Sequence, residues 1–357
     1  MQSAKISRWG ALGLCLTFLA LASCGGGGGG GGGSSGPVTP PGKVFAVDSM
    51  NHAIGSMSNP NPGAGAFAVE RIVSGSSTGL GTPCAICTPT PSNLPSIALD
   101  AAADRLYVAT QLNTRVFDSI STANGNVSSR SISASGVQFL NIAIDPANNN
   151  TLYTVGSSGV VNIFSSAHTI NGFVTPSRTI TPDFGASTVI STFGIAIDAT
   201  SRDLLYVGEN FNGATNISVF SNASTADTTG GAALAPSRTF SFAIAPGAFY
   251  LDTVHDRLYT ARFDGPILVY DIASGLSGAV GAASRTITLP VTPTSFSSSQ
   301  LYIFVDTTND RLYAVNGSTG FILNGASTAN DPITTYTQFS VTASSPTTVF
   351  SAVAVKP

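Results

Sequence analysis

The chain has 357 residues, of which only 9% are charged, and its formal net charge is −3. From Cys24 onward, 13 Lys and Arg stand against 18 acidic residues, and this acidic balance argues against nucleic acid as a partner. A chain of this length is long for one domain unless that domain is a ring of repeats.

Residues 1–23 have the pattern of a secretion signal. Lys5 and Arg8 precede a short apolar run, and Leu21-Ala22-Ser23-Cys24 places small residues directly before a cysteine. This resembles the lipobox of bacterial lipoproteins, which implies cleavage before Cys24 and lipidation of its sulfur with acyl chains such as palmitate. The alternative is an ordinary secretory signal followed by a chance cysteine. Gly25 stands where inner-membrane lipoproteins usually carry Asp, so we expect an outer-membrane anchor facing the periplasm or the cell surface.

Residues 24–42 are predicted to be a flexible tether. They contain nine consecutive glycines, Gly25 to Gly33, followed by a Ser- and Pro-rich end. Such a composition cannot form a packed core and behaves as a spacer.

One pattern recurs along residues 43–357: a small apolar strand ending in Asp, a short polar turn, and then Leu-Tyr at the start of a second strand. The spacing of 45 to 54 residues, in units made only of strand-like pieces, is typical of a β-propeller because one unit cannot bury its own apolar faces. The Asp and Tyr of the five copies are Asp100 and Tyr107, Asp145 and Tyr153, Asp198 and Tyr206, Asp252 and Tyr259, and Asp306 and Tyr313.

Each repeat continues with a third and a fourth short strand, which makes one four-stranded blade. Residues 43–73 supply only the second to fourth strands of a first blade, whereas the C-terminal Val353-Ala354-Val355 resembles an inner strand. We therefore predict an all-β, six-bladed β-propeller in which the C-terminal strand completes the first blade, a velcro closure that leaves no open sheet edge.

These blades resemble those of the NHL and YVTN class of propellers, in which an apolar strand ending in Asp is followed by Leu-Tyr-Val and a strand ending in Val-Phe. The resemblance covers nearly all of residues 43–357 and implies the fold. It assigns no chemistry, since this class includes scaffolds, ligand-binding modules and some enzymes.

The repeated charged residues are interpreted as scaffold. The strand-ending Asp series is expected to cap backbone N–H groups of the following turns. The Arg that begins the fourth strand, as in Arg130, Arg178, Arg238 and Arg285, is expected to tie outer strands to loop carbonyls or carboxylates.

Residues that break the repeat, in the loops between second and third strands and between blades, are the candidate ligand-binding set. A converging group of them at the channel mouth would bind a small polar ligand or a partner loop, and the alternative is that they are solvated loop residues. The set comprises His52, Asn113, Arg115, Glu209, Asn210, Asn212, Arg262 and Asp264.

Cys84 and Cys87 form the one sharp local motif. Thr88 stands where haem attachment would need His, and no further zinc ligands lie nearby in the sequence, so we expect a small disulfide-closed loop in an exported protein. We predict no metal site, no cofactor and no catalytic residue.

The sequence thus favours a lipid-anchored binding or scaffolding propeller of the cell envelope, with a protein or a small polar ligand on its top face, rather than an enzyme. One alternative is a hydrolase of lactonase or esterase type, or a lyase, with a divalent cation at the channel mouth. Another is a structural subunit of an envelope assembly.

Overall fold

A computed structural model describes residues 42–49, 51–58, 69–81, 96–184, 189–211, 214–262, 265–289, 301–316, 319–340 and 350–357. These residues form six sheets, each built on four antiparallel strands, and two short 3-10 turns at Ser76–Thr78 and Ala273–Gly275. The six sheets are the blades of a β-propeller, as the repeat predicts. No helix in the described residues is long and apolar enough to span a membrane.

The strands of the first three blades are short, in keeping with the turn residues that bound each of them. Blade 1 contains β1 (Lys43–Asp48), β2 (Ala53–Ser58) and β3 (Arg71–Val73), together with the last strand of the chain, β26 (Phe350–Lys356). Blade 2 contains β4 (Ile97–Asp100), β5 (Arg105–Ala109), β6 (Thr114–Asp118) and β7 (Arg130–Ser133). Blade 3 contains β8 (Asn141–Asp145), β9 (Thr151–Val155), β10 (Val161–Phe164) and β12 (Arg178–Ile180).

Blade 4 is the longest of the six. It contains β13 (Val189–Asp198), β14 (Leu204–Phe211), β15 (Ala214–Ser221) and β16 (Arg238–Ser241), and two register shifts in β13 mark bulges. Blade 5 contains β17 (Ala248–Asp252), β18 (Arg257–Ala261), β19 (Ile267–Asp271) and β21 (Arg285–Ile287). Blade 6 contains β22 (Tyr302–Asp306), β23 (Arg311–Asn316), β24 (Thr319–Asn324) and β25 (Thr337–Ser340).

The apolar core is divided among the six junctions between neighbouring blades, and each junction holds one cluster of buried side chains. The Tyr of the Leu-Tyr motif belongs to these clusters and is fully buried in all five copies. A single blade buries neither of its faces, so the blades stabilise one another through the hydrophobic effect.

The turns at the end of each inner strand are held by the strand-ending carboxylates. Asp145 Oδ1 accepts hydrogen bonds from the backbone N–H groups of Ala147 and Asn148, both at 3.1 Å. Equivalent bonds are made by Asp100, Asp198, Asp252 and Asp306, and all five carboxylates are buried. The series is structural, as its repetition indicates.

The Arg that begins the fourth strand reaches into the next blade. Arg285 Nη1 donates to the carbonyl oxygens of Ala326 and Ala329, at 3.0 and 3.1 Å. Arg178 and Arg130 make the same kind of contact with the blades that follow them. The prediction that this series ties outer strands to loop carbonyls is confirmed for these three residues.

Two short segments, which the sequence did not predict as strands, extend a blade with residues of its neighbour. β11 (Gly172–Phe173), from blade 3, pairs in parallel with β7 of blade 2, and β20 (Gly278–Ala279), from blade 5, pairs in parallel with β16 of blade 4. Each covers an outer sheet edge that would otherwise expose unpaired backbone groups.

The first blade contains strands from both ends of the described chain. β26 pairs antiparallel with β1, from Lys43 opposite Lys356 to Asp48 opposite Phe350, and it occupies the inner position of the sheet. Val353 and Val355 of β26 pack in the cluster shared with blade 6. The strand pairing is the one expected for the C-terminal strand.

Candidate binding site in the central channel

The inner strands of the blades surround a central cavity of about 630 Å³. We call the upper face the side that carries the turns between second and third strands and the connections between blades, and the lower face the side of the Asp-capped turns. The wall consists mainly of the apolar parts of the inner strands, such as Ile97, Ile142, Ile195 and Val353. A concave, mostly apolar space of this size is typical of a small-molecule site.

Hydrogen-bonding side chains in the wall are concentrated at the upper end of blades 3 and 4. Asn141 Nδ2 donates to Thr192 Oγ1 at 3.3 Å, and Thr192 Oγ1 donates to the carbonyl oxygen of Gly156 at 3.3 Å. Asn210 Nδ2 donates to Ser191 Oγ at 3.0 Å. These bonds fix the side chains in place, and each Asn keeps further donor or acceptor capacity. We call Asn141, Ser191, Thr192 and Asn210 the polar sector.

The wall contributed by blades 5 and 6 is aromatic. The rings of Tyr250 and Phe304 lie 5.1 Å apart, and Phe249 meets Phe193 of blade 4 edge-to-face at 6.0 Å. Burial raises the pKa of the Tyr250 hydroxyl, so that group stays protonated and can donate a hydrogen bond. We call Phe193, Phe249, Tyr250 and Phe304 the aromatic sector.

Two glycines of blade 4 make room for this sector. A Cβ atom on Gly194 would lie 2.6 Å from the ring of Phe249, and one on Gly208 would lie 2.6 Å from the ring of Phe193. Real Cβ contacts are not that close, so the aromatic packing requires glycine at both positions.

The aromatic sector has a signal in the sequence, a departure from the repeated inner-strand pattern. The inner strands of blades 3 and 4 both read Ile-Ala-Ile-Asp, whereas Phe249-Tyr250-Leu251-Asp252 and Ile303-Phe304-Val305-Asp306 replace the small apolar residues with large rings. The candidate set predicted from the sequence contains only polar loop residues, so it does not include these positions.

Of the predicted ligand-binding residues, Asn210 lines the cavity. His52 and Arg115 each contact residues 79–81 instead, and neither is part of the cavity wall. His52 Nδ1 lies 2.7 Å from the carbonyl oxygen of Leu80, and the Arg115 guanidinium lies directly against Gly79. Burial lowers the pKa of Arg115, whose Nε has no hydrogen-bond partner in the described part of the chain.

Asn113 and Arg262 lie in upper-face turns of blades 2 and 5. Asn113 Oδ1 accepts a hydrogen bond from Thr110 Oγ1 at 3.0 Å and so braces its own turn, and the Arg262 guanidinium lies close to Gly265. Asn212, Asp264, the predicted lipidation residue Cys24 and the predicted disulfide pair Cys84 and Cys87 lie outside the described residues.

Glu209 is fully buried beside the polar sector, on the face of blade 4 that packs against blade 3. Its Oε1 accepts a hydrogen bond from Ser218 Oγ, and its Oε2 has no partner in the described structure. Burial raises the pKa of this carboxyl to about 8, the Ser218 bond opposing the shift. At neutral pH the group is therefore mainly an uncharged acid.

Within the described ranges, no three His, Cys, Asp or Glu side chains come together in a way that could hold a metal ion.

Comparison with known proteins identifies no family for the chain. No protein-family model matches the chain, and no curated protein matches it. Among solved structures, one similar chain is apo AztD from Citrobacter koseri, with a TM-score of 0.42 and 9% identity over 88% of this chain and 86% of that one. A likeness of this size says nothing about a ligand or an activity. The fold and the cavity define a six-bladed propeller with an amphipathic central channel.

Proposed function

We propose that this protein is a binding module and that its ligand occupies the upper part of the central channel. The cavity itself is the observation that carries the proposal. It has the volume of a small-molecule site, an apolar wall, and a few hydrogen-bonding side chains held in place at one end.

The proposed setting is the cell envelope. The lipobox ending in Cys24 and the glycine-rich residues 24–42 support an acylated N-terminus and a spacer that joins it to a propeller of the NHL/YVTN-like class. An outer-membrane location, on the periplasmic or surface side, fits Gly25 after the cysteine.

A partner protein on the upper face is the second candidate. Leu112, in a turn of blade 2, and Ile244, in the connection that leads to blade 5, are 74% and 53% exposed. Exposed apolar side chains on the loops of a propeller are suited to contact with another protein. The hydrolase or lyase alternative stays a prediction. It would need carboxylates at the channel mouth, and none of the described residues that line the cavity is a carboxylate.

Two matched variants test the channel as a binding site. Ala248→Trp fills the space at the start of β17, whereas Val254→Trp adds the same side chain to an exposed lower-face turn of the same blade. Compounds from a diverse fragment collection that raise the melting temperature of the parent should lose this effect in Ala248→Trp and keep it in Val254→Trp. The proposal is wrong if no fragment stabilises the parent or if the channel variant responds like the control.

A further inference from the structure

Resting on the proposed function, we infer that the ligand is an uncharged amphiphilic molecule with a flat ring system and one hydrogen-bonding edge. The ring would lie against the aromatic sector, and the edge would face the polar sector. The distribution of charge, the aromatic wall and the position of the polar groups each support this.

The first observation is the absence of charge from the described cavity wall. The cavity wall contains no charged side chain among the described residues. In the described parts of the six connections between blades the one charged residue is Asp183, and Arg262, in an upper-face turn, is not part of the wall. The inner-strand carboxylates lie at the opposite end and are bonded to turn N–H groups. A charged ligand would lose its hydration here without gaining a counter-charge.

The aromatic sector favours a flat ligand. Tyr250 and Phe304 present a tilted pair of rings to the cavity, and Phe249 with Phe193 continues this wall towards blade 4. Aromatic rings pack on one another in preferred offset or edge-to-face arrangements. Each such contact contributes about 0.5–1.5 kcal/mol beyond the buried area, which corresponds to a factor of about 2 to 13 in affinity. An aliphatic chain would make no such contact.

The polar sector orients the ligand. Its amides and hydroxyls come from β8, β13 and β14, on blades 3 and 4, whereas the rings of Tyr250 and Phe304 come from blades 5 and 6. Because the Asn141 and Asn210 side chains are already held by Thr192, Ser191 and Thr215, they are set to bind a ligand edge without further ordering.

The test uses two probes with one skeleton. N-phenyl-1-naphthylamine is a flat, uncharged aromatic amine, and 8-anilinonaphthalene-1-sulfonate is the same molecule with a sulfonate. Titrated into the purified protein, the uncharged probe should give a saturable rise in fluorescence, and the sulfonate should bind at least about tenfold more weakly, a difference of about 1.4 kcal/mol. Phe304→Leu should weaken the uncharged probe about three- to tenfold.

The outcomes separate the ligand class from the site. Ala248→Trp should abolish binding of the uncharged probe and Val254→Trp should not. If the sulfonate binds as tightly as the uncharged probe and Ala248→Trp removes both, the ligand class is wrong and the site stands. If neither Ala248→Trp nor Ala245→Trp, at the exposed mouth, reduces binding, the site itself is wrong. Absence of saturable binding rejects the ligand class, and the fragment experiment then decides on the site.

Discussion

Glu209 on β14 lies directly opposite Asn216 on β15, and each of these buried side chains keeps one polar atom without a hydrogen-bond partner in the described structure. The two atoms are Glu209 Oε2 and Asn216 Nδ2. A buried polar group without a partner costs free energy, so this pair destabilises the fold at the junction of blades 3 and 4.

Glu209→Gln should remove a pH-dependent loss of stability. The unfolded chain releases the carboxyl proton near pH 4.5, whereas burial holds the folded pKa at about 8. Between these values the unfolded state binds fewer protons, so the free energy of unfolding falls as the pH rises. We expect the variant to melt like the parent at pH 4 and a few degrees higher at pH 8. Melting curves across this range measure the effect.

Glu70→Gln is the matched control for that experiment. Glu70 is the only other glutamate in the chain, and its half-exposed carboxylate bonds to Lys43, which lowers its pKa. Its contribution has the opposite sign: it is present above the unfolded pKa and lost as the pH falls. The buried-acid explanation fails if both glutamine variants change the pH profile in the same way.

Removal of residues 350–357 should open the ring. Without β26, the backbone of β1 becomes an exposed sheet edge, and the cluster shared with blade 6 loses Val353 and Val355. Val353→Asp, at a buried position of β26, should lower the melting temperature strongly, whereas Val254→Asp, 71% exposed, should change it little. A truncated protein as stable and as resistant to proteolysis as the parent would show that another contact closes the ring.

Arg285→Ala should loosen the contact between blades 5 and 6. Its guanidinium donates to two backbone carbonyls, and a hydrogen bond from a charged group contributes about 1.5–3 kcal/mol. We expect faster amide hydrogen exchange around residues 325–331. Arg178→Ala is the reciprocal control and should act around residues 223–228 instead. Equal changes in both regions for either variant would contradict a local role.

The proposed acylation of Cys24 predicts that Cys24→Ser releases the protein from the membrane. Lipid attachment needs the sulfur, and the expected glycine spacer separates the anchor from the propeller. The variant should appear in the soluble envelope fraction with an unchanged melting temperature. Membrane association that survives high salt without detergent would mean that another part of the protein binds the membrane.

Replacing both Cys84 and Cys87 tests whether their predicted disulfide acts only on its own loop. A disulfide across so short a loop adds little chain entropy, so changing both residues to Ser should hardly alter the melting temperature. Protease cleavage between residues 74 and 95 should increase. Two reactive thiols in the unfolded, unreduced protein would refute the disulfide.

The fold could be predicted because its signals are local and repeated. Asp145 ends a strand and caps the turn that follows, and Tyr153 lies in the fully buried second strand, so each copy repeats the same short-range chemistry. β11 and β20 could not be found in this way. Each has two residues, contains glycine and pairs with a strand of another blade, so neither has a periodicity of its own.

The candidate site was harder to predict because its wall belongs to the scaffold. Asn210 is a polar departure from the repeat, but Tyr250 and Phe304 occupy an inner-strand position that holds the small Ala98, Ala143 and Ala196 in three other copies. Only the ring closure brings these strands face to face around one space. Sequence separation gives no indication that Asn141 and Phe304 line the same cavity.

The parallel pairing of β11 with β7 also bears on the order in which the protein is completed during synthesis. Residues 130–133 leave the ribosome before residues 172–173, and the same holds for β16 and the later β20. The parallel partners of β7 and β16 are therefore synthesised only with the following blade. The inner strand of the first blade, β26, is synthesised after all the other strands of the six sheets. A ribosome that stalls before residue 350 therefore leaves blade 1 without its inner strand.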